Sequence, residues 1–258
     1  MKTEDIQAKI KGDIGREIFY YEHVGSTNTV ALDLAESREE GTVIVADSQE
    51  KGRGRLGRSW ISPPGANIYM SIILKPDLAP MDTTLITLMA AVACTHALRR
   101  TTGLAISIKW PNDLMVSGRK IGGILTDLKT EQKRILFAVV GIGINVNSDL
   151  DDFPDDVRKI ATSLKNETGR TFSREGLIME LLNEMDIWYR HLKSLSREHI
   201  LSAWKGLTST LGEKVVVATG QETLTGIAES VDEAGMLLLR LPSGEMKRIS
   251  SGDVTTVR

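Results

Sequence analysis

Up to about residue 146 the apolar positions come as short, nearly continuous runs, separated by polar turns that contain glycine or asparagine. Runs of this kind predict strands covered on both faces. They fall at residues 16–24, 42–47, 67–74, 106–109, 114–116, 119–125 and 135–146. One stretch breaks the pattern. From Asp82 or Thr83 to about Arg100 the apolar positions run round most of a helical circumference, which predicts a central helix, and Gly103 ends it. Ser117-Gly118 predicts a hairpin turn between two of the strands.

Past residue 147 the texture changes to helix. A short piece is predicted around Asp155 to Ala161, a long one from Ser173 to about Ser194, and another from Arg197 to Gly206. Met179, Leu182, Met185 and Trp188 recur at helical spacing in the long one, which marks a core stripe. Beyond Leu211-Gly212 come five short apolar runs, at 215–218, 223–229, 236–241, 247–250 and 254–257, with Gly, Ser or Asp between them. That spacing predicts a small barrel of about 45 residues. Residues 1–15 read as a short frayed helix and a turn. The whole is α+β, divided into 1–210 and 211–258.

Composition narrows the function. The chain has 258 residues, 32 basic against 34 acidic, for a formal net charge of −2. A basic segment on such a near-neutral chain points to a small anionic ligand and away from a nucleic-acid surface. The single Cys94 lies in an apolar helical run and reads as core. His23, His96, His191 and His199 show no metal-ligand spacing. The polar N-terminus is no signal peptide, and the run Leu85 to Leu98 is shorter than a membrane span. A soluble, cytoplasmic protein is expected, with no membrane partner.

The basic segment is Gly52-Arg53-Gly54-Arg55-Leu56-Gly57-Arg58-Ser59-Trp60, preceded by Lys51. Glycines at 52, 54 and 57 let the backbone turn tightly and bring its N–H groups to a ligand, while the cations attract an anion. The stretch fits G-x-G-x-x-G after a predicted strand, but Pro63-Pro64 excludes the helix that a dinucleotide fold requires. A P-loop fails for the same reason, and Arg58 stands where its lysine would be. A solvated basic turn is the bland alternative. Such a loop is expected to be mobile until an anion arrives. Gly25-Ser26-Thr27-Asn28 lies where a strand end meets a helix start, either as a plain cap or as a set of hydroxyls and N–H groups offered to a polar ligand. Gly122-Gly123, Gly141 and Gly143 leave strand positions without side chains, where a ligand could lie against the backbone.

These turns line up as one pattern. Gly25-Ser26-Thr27-Asn28, Gln49 with Gly52 to Trp60, Lys109-Trp110-Pro111-Asn112-Asp113 with Gly118-Arg119-Lys120-Ile121-Gly122-Gly123, and Gly141-Ile142-Gly143-Ile144-Asn145 resemble biotin protein ligases in order and spacing. The resemblance covers about residues 16–258. It implies a catalytic domain like that of class II aminoacyl-tRNA synthetases, a mixed sheet with flanking helices, followed by an SH3-like barrel. It implies ATP and Mg²⁺ as cofactors, biotin as substrate, and as partner the carrier domain of a biotin-dependent carboxylase.

At residue level the resemblance implies that Ser26, Thr27, Asn28, Gln49, Gly52, Arg53 and Gly54 bind biotin, with Gly123, Gly141 and Gly143 leaving room for it. Arg55 and Lys120 would be catalytic, facing both the carboxylate and the α-phosphate. Arg58, Trp60, Asn112 and Asn145 would lie on the nucleotide side. The Mg²⁺ ligands stay unassigned; Asp113 reads first as a turn residue. Longer members of the family carry a winged-helix DNA-binding domain, for which the residues before Ser26 are too few, so DNA is not an expected partner. A homodimer stays open. The alternatives are a lipoate or octanoate ligase of the same fold, a nucleic-acid-binding regulator and a non-catalytic carrier-binding protein.

Overall fold

Continuous apolar strands need cover on both faces, and the chain supplies it with helices from distant parts of the sequence. The computed structural model describes residues 1–194 and 196–257. β1 (Ile18–Val24), β2 (Val43–Gln49), β3 (Ile68–Leu74), β4 (Ser107–Lys109), β5 (Asp113–Val116), β6 (Arg119–Glu131) and β7 (Arg134–Ile144) form one sheet in the order β1-β2-β3-β7-β6-β5-β4. β1 and β2 run parallel and the remaining neighbours antiparallel, so the sheet is mixed as expected.

Side chains alternate between faces along a strand, and the two faces meet different partners. Val43, Val45, Ile72, Leu74, Ala138 and Val140 join the main core with α3 (Thr83–Thr102), α6 (Arg174–Lys193) and α7 (Arg197–Leu207). Ile44, Ile73, Phe137 and Val139 face the other way and pack with Ala31 and Ala35 around α2 (Thr27–Leu34). α3 is buried almost all round and stops at Gly103, whose φ of 77° only glycine adopts freely. With the turn before it, this helix is long and apolar enough to cross a membrane, yet it lies inside the core.

Two local differences from expectation have physical causes. The N-terminal segment, with α1 (Thr3–Gln7), is anchored and not frayed: Ile6 and Ile14 are buried, and the Asp186 carboxylate of α6 accepts from the N–H groups of Asp13 at 2.7 Å and Ile14 at 3.3 Å. A carboxylate arriving from far along the chain leaves no local signal. Between α4 (Asp155–Arg158) and α6 the structure adds α5 (Leu164–Thr168), capped by Ser163 and ended by Gly169 in the left-handed region. Five residues are too few to show a helical period.

β8 (Lys214–Ala218), β9 (Thr223–Val231), β10 (Leu237–Arg240), β11 (Met246–Ile249) and β12 (Asp253–Thr256) form the five-stranded antiparallel unit in the order β11-β10-β9-β8-β12. Its inward residues Val215, Val217, Leu237 and Leu239 belong to the same apolar core as the main sheet. Trp110 fastens the two together. It is buried, its backbone N–H donates to Thr210 Oγ1 at 2.9 Å, and its indole Nε1 donates to the Gly235 carbonyl at 3.1 Å. Trp110→Ala would cost about 3 to 5 kcal/mol, the range for large aromatic truncations in a core. Removing the whole C-terminal unit would strip this tryptophan of its cover, so truncation is a poor way to ask what that unit does.

Candidate functional site

Along β7 the residues facing α2 are Phe137, Val139, Gly141 and Gly143. The first two carry side chains and pack under the helix. The last two carry none, and beyond the helix start they leave the sheet bare. That bare patch is the floor of a cleft of about 710 Å³. Side chains are excluded there. A Cβ on Gly141 would land on Asn28 Oδ1, and one on Gly143 would lie 2.7 Å from Trp60 Nε1.

One wall is the α2 N-terminus. Ser26 is the cap residue by backbone geometry, but its hydroxyl makes no cap bond. The free N–H of Thr27 instead donates to Gln49 Oε1 at 2.9 Å, while Gln49 Nε2 donates to Ser62 Oγ at 2.9 Å. The hydroxyl of Ser71, on β3, donates to Asn28 Oδ1 at 2.6 Å and lies 2.8 Å from Thr27 Oγ1. Asn28 Nδ2 donates to Asp127 Oδ2 at 2.9 Å and the Leu125 carbonyl at 3.3 Å. Ser26, Thr27, Asn28 and Ser71 are all buried, so this network is held in one arrangement.

The basic loop closes the cleft from above as a folded turn and not an open coil. Gly54 N–H donates to the Arg58 carbonyl at 2.7 Å and Trp60 N–H to the Gly52 carbonyl at 2.9 Å. Leu56 (φ 55°) and Gly57 (φ 74°) make the tip in consecutive left-handed conformations, which the leucine adopts at a cost of about 1 kcal/mol. Three arginines tie the turn down in three directions. Arg53 pairs with Asp127, Arg55 Nη1 donates to Asn112 Oδ1 at 3.0 Å and the Gly252 carbonyl at 3.4 Å, and Arg58 pairs with Asp253. Burial pushes the Arg55 guanidinium below its ordinary pKa, and the carboxylates of Asp253 and Asp113 oppose that shift.

Farther along the floor the chemistry becomes ionic. Lys120 Nζ sits 2.5 Å from Asp113 Oδ1, with Lys109 Nζ 3.4 Å from the other oxygen. A Cβ on Gly123 would lie 3.2 Å from that Lys120 nitrogen, so the ammonium rests over the second bare strand. The Trp60 ring is 5.5 Å from Lys120 Nζ, and its buried Nε1 has no partner among the described residues. A buried donor of this kind costs about 1 to 3 kcal/mol until an acceptor reaches it. Asn112 Nδ2 donates to the Ile124 carbonyl and Asn145 Nδ2 to the Thr162 carbonyl, both from the cleft wall.

The structure therefore brings together Ser26, Thr27, Asn28, Gln49, Arg53, Gly54, Arg55, Arg58, Trp60, Asn112, Lys120, Gly123, Gly141, Gly143 and Asn145. It places Gly52 elsewhere. A Cβ there would lie 2.7 Å from Ser62 Oγ and overlap the Trp60 carbonyl, so this glycine serves the closure of the loop and does not line the cleft. Gly122 likewise faces away, toward Ile144 and Leu114. Four contributions escaped the sequence reading. Asp113 is the partner of Lys120, not a simple turn residue. Phe153, Val157 and Ile160 form an apolar wall, with Ile160 64% exposed; their i, i+4, i+7 spacing was the available signal. Asp253 arrives from the C-terminal unit, and Ser71 from the middle of an apolar strand; neither has a local signature.

Comparison with known proteins agrees with this geometry. Residues 20–145 match the biotin/lipoate A/B protein ligase family and residues 210–255 the biotin protein ligase C-terminal domain. The bifunctional ligase/repressor BirA of Bacillus subtilis is 36% identical over 256 residues, 98% of this chain and 78% of that protein. The biotin–[acetyl-CoA-carboxylase] ligase of Paracoccus denitrificans is 34% identical over 226 residues, 85% of this chain and 92% of that protein. Among solved structures, the biotin protein ligase from Aquifex aeolicus in complex with biotin and ATP superposes with a TM-score of 0.79 at 30% identity, covering 94% of this chain and 99% of the other.

Proposed function

This chain belongs to the biotin protein ligase family, and from that premise we propose how its cleft divides the work. The enzyme uses ATP with Mg²⁺ to activate biotin and transfers it to a biotin carboxyl carrier protein. The hydrogen-bonded end, from Ser26 to Gly141, takes the fused rings of biotin. The ionic end, with Arg55, Arg58, Lys120, Asn112 and Asn145, takes the nucleotide. The catalytic unit spans 1–210 and the barrel 211–258.

The observation that carries this reading is Lys120. Its ammonium lies over the bare strand at Gly123, in the same cleft as the loop arginine Arg55, and its partner Asp113 is a carboxylate that a phosphate oxygen can replace. In the first step a biotin carboxylate oxygen bonds to the α-phosphorus of ATP and pyrophosphate leaves. Charge builds on the phosphate oxygens in the transition state, where Lys120 and Arg55 as fixed cations stabilise it without reorganisation. In the second step the ε-amine of the carrier lysine attacks the biotinyl carbonyl, AMP leaves and the amine loses a proton. No protein nucleophile is needed.

Mg²⁺ neutralises phosphate charge when it arrives with ATP. Among the described residues no three His, Cys, Asp or Glu side chains are arranged as a cage, which fits an ion carried by phosphates and water. Asp113, Asp156 and Asp253 are the cleft carboxylates that could complete its shell.

The test is ATP–pyrophosphate exchange with biotin, lipoate and octanoate in turn, followed by labelling of a carrier domain. Exchange with biotin alone, then one biotin per carrier, is expected. Exchange with lipoate or octanoate in its place would overturn the reading.

A further inference from the structure

Asp127, on β6, lies in a hollow on the outer side of the basic loop and does not line the ligand cleft. It nonetheless holds two residues that do. The Arg53 guanidinium donates to both its oxygens, at 2.9 and 3.3 Å, and Asn28 Nδ2 donates to the first of these oxygens at 2.9 Å. We propose that Asp127 is a positioning residue for biotin, fixing the loop and the α2 N-terminus relative to each other and to the sheet. This rests on the assignment of that end of the cleft to the biotin rings.

The physical case has two parts. An ionised carboxylate only accepts, and so does the Leu125 carbonyl, so the Asn28 amide must turn its NH₂ toward both. Its carbonyl oxygen is left over Gly141, where the Ser71 hydroxyl holds it. The amide cannot flip while Asp127 stays charged and in place. On the other side, two donors to one carboxylate fix the plane of the Arg53 guanidinium as well as its distance. Arg53 is otherwise 43% exposed, a side chain with many rotamers, whereas Asp127 is only 21% exposed. The other loop ties run to Asn112 and to the C-terminal unit, on the nucleotide side. Asp127 thus ties the loop on the biotin side.

The experiment is steady-state pyrophosphate exchange on the full chain for wild type, Asp127→Ala, Asp127→Glu, Arg53→Ala and the Asp127→Ala/Arg53→Ala pair. Asp127→Ala should raise KM for biotin by roughly ten- to a hundredfold, the range for losing charge-assisted hydrogen bonds. KM for ATP and kcat should stay within about threefold, because the ionic end is held by other contacts. Asp127→Glu keeps an acceptor-only charge and should recover most of the loss. In the double variant the two losses should fall short of additive, as expected for residues acting as one unit.

An unchanged KM for biotin, or a parallel shift of both KM values, kcat and melting temperature, overturns the proposal and leaves Asp127 a structural residue. Should the alanine variant not fold, the isosteric Asp127→Asn decides by the same split. Wild-type protein with no biotin-dependent exchange would instead sink the ligase reading, so the two failures are separable.

Discussion

The two ends of the cleft are built on different principles. At the end proposed for biotin, the buried Thr27, Asn28 and Ser71 and the half-buried Gln49 form a mostly uncharged network whose groups have partners within the chain. At the end proposed for the nucleotide, Lys120 and Arg58 are paired with Asp113 and Asp253, and Arg58 is 69% exposed. A neutral ring system needs shape and fixed hydrogen-bond polarity, which a preorganised network supplies. A triphosphate brings several charges of its own, and cations resting on carboxylates can exchange one anion for another at little net cost. Substitutions at the two ends should therefore fail differently.

The largest effect is expected from Lys120→Ala. Removing the cation proposed to sit at the reacting atoms should slow pyrophosphate exchange by about 100- to 1000-fold, the cost of deleting one transition-state donor. Melting temperature should stay close to wild type, because Lys120 gives up one partly exposed ion pair. Exchange within tenfold of wild type would show that Lys120 is a surface lysine and that the ionic end is misassigned.

Next comes a pair of glycines. Gly141→Ala drives a methyl into the Oδ1 of Asn28, whose amide is held in place by Ser71, Leu125 and Asp127, so the network must shift. Biotin binding should weaken by about ten- to a hundredfold with KM for ATP little changed, as for overpacking a rigid site. Gly123→Ala meets the far end of the flexible Lys120 side chain at 3.2 Å, which can move aside. Its effect should be a few-fold, by the same rule, and should appear in kcat. Equal losses in both variants, read by calorimetry and exchange, would erase the contrast between the ends.

Arg55→Gly probes the seam between them. It removes a cation that touches both Asn112 and the C-terminal unit and adds a fourth glycine to the loop. Release of the adenylate should quicken by about tenfold, the loss of one charged hydrogen-bond partner, while its formation slows less. Free adenylate followed by chromatography, and labelling of bystander lysines, would report it. An adenylate held as long as in wild type would leave the arginine a tie for the loop and nothing more. The tight turn also bears on the expected mobility: hydrogen exchange should find the Gly54 and Trp60 amides protected even without ligands, since both donate within the loop.

How legible the site was in the sequence follows the same division. Motif residues announce themselves when the backbone needs them: glycines at 141 and 143, arginines in a short loop, a serine at a helix start. The strands and the central helix were readable because continuous apolar runs and an all-round apolar helix leave strong periodic signals. What could not be read arrives from elsewhere. Ser71 is one hydroxyl in an apolar strand, Asp127 sits on an ordinary strand, and Asp253 is reached only after the barrel docks through Trp110. Gly52 misled for the converse reason. It belongs to the motif, but its space is taken by the backbone of Trp60.

The smallest effect separates the ends without any mutation. Screening weakens interactions between exposed charges and scarcely touches buried neutral hydrogen bonds; the Debye length falls from about 10 Å at 0.1 M salt to roughly 3 Å at 1 M. The end proposed for the nucleotide carries Arg58, well exposed, and Lys120, with a side chain 28% exposed, so on that assignment part of its attraction for ATP acts through solvent. KM for ATP should rise about three- to tenfold across that salt range, in keeping with the modest strength of exposed ion pairs. Biotin carries its own carboxylate, so the fair probe of the other end is biotinol, the uncharged alcohol. Its dissociation constant, measured by calorimetry, should stay flat within about twofold, because Thr27, Asn28, Gln49 and Ser71 offer it only dipoles. A biotinol affinity that falls with salt as steeply as that of ATP would mean that Arg53 and Asp127 act on the ring through their charges and not through the geometry they impose.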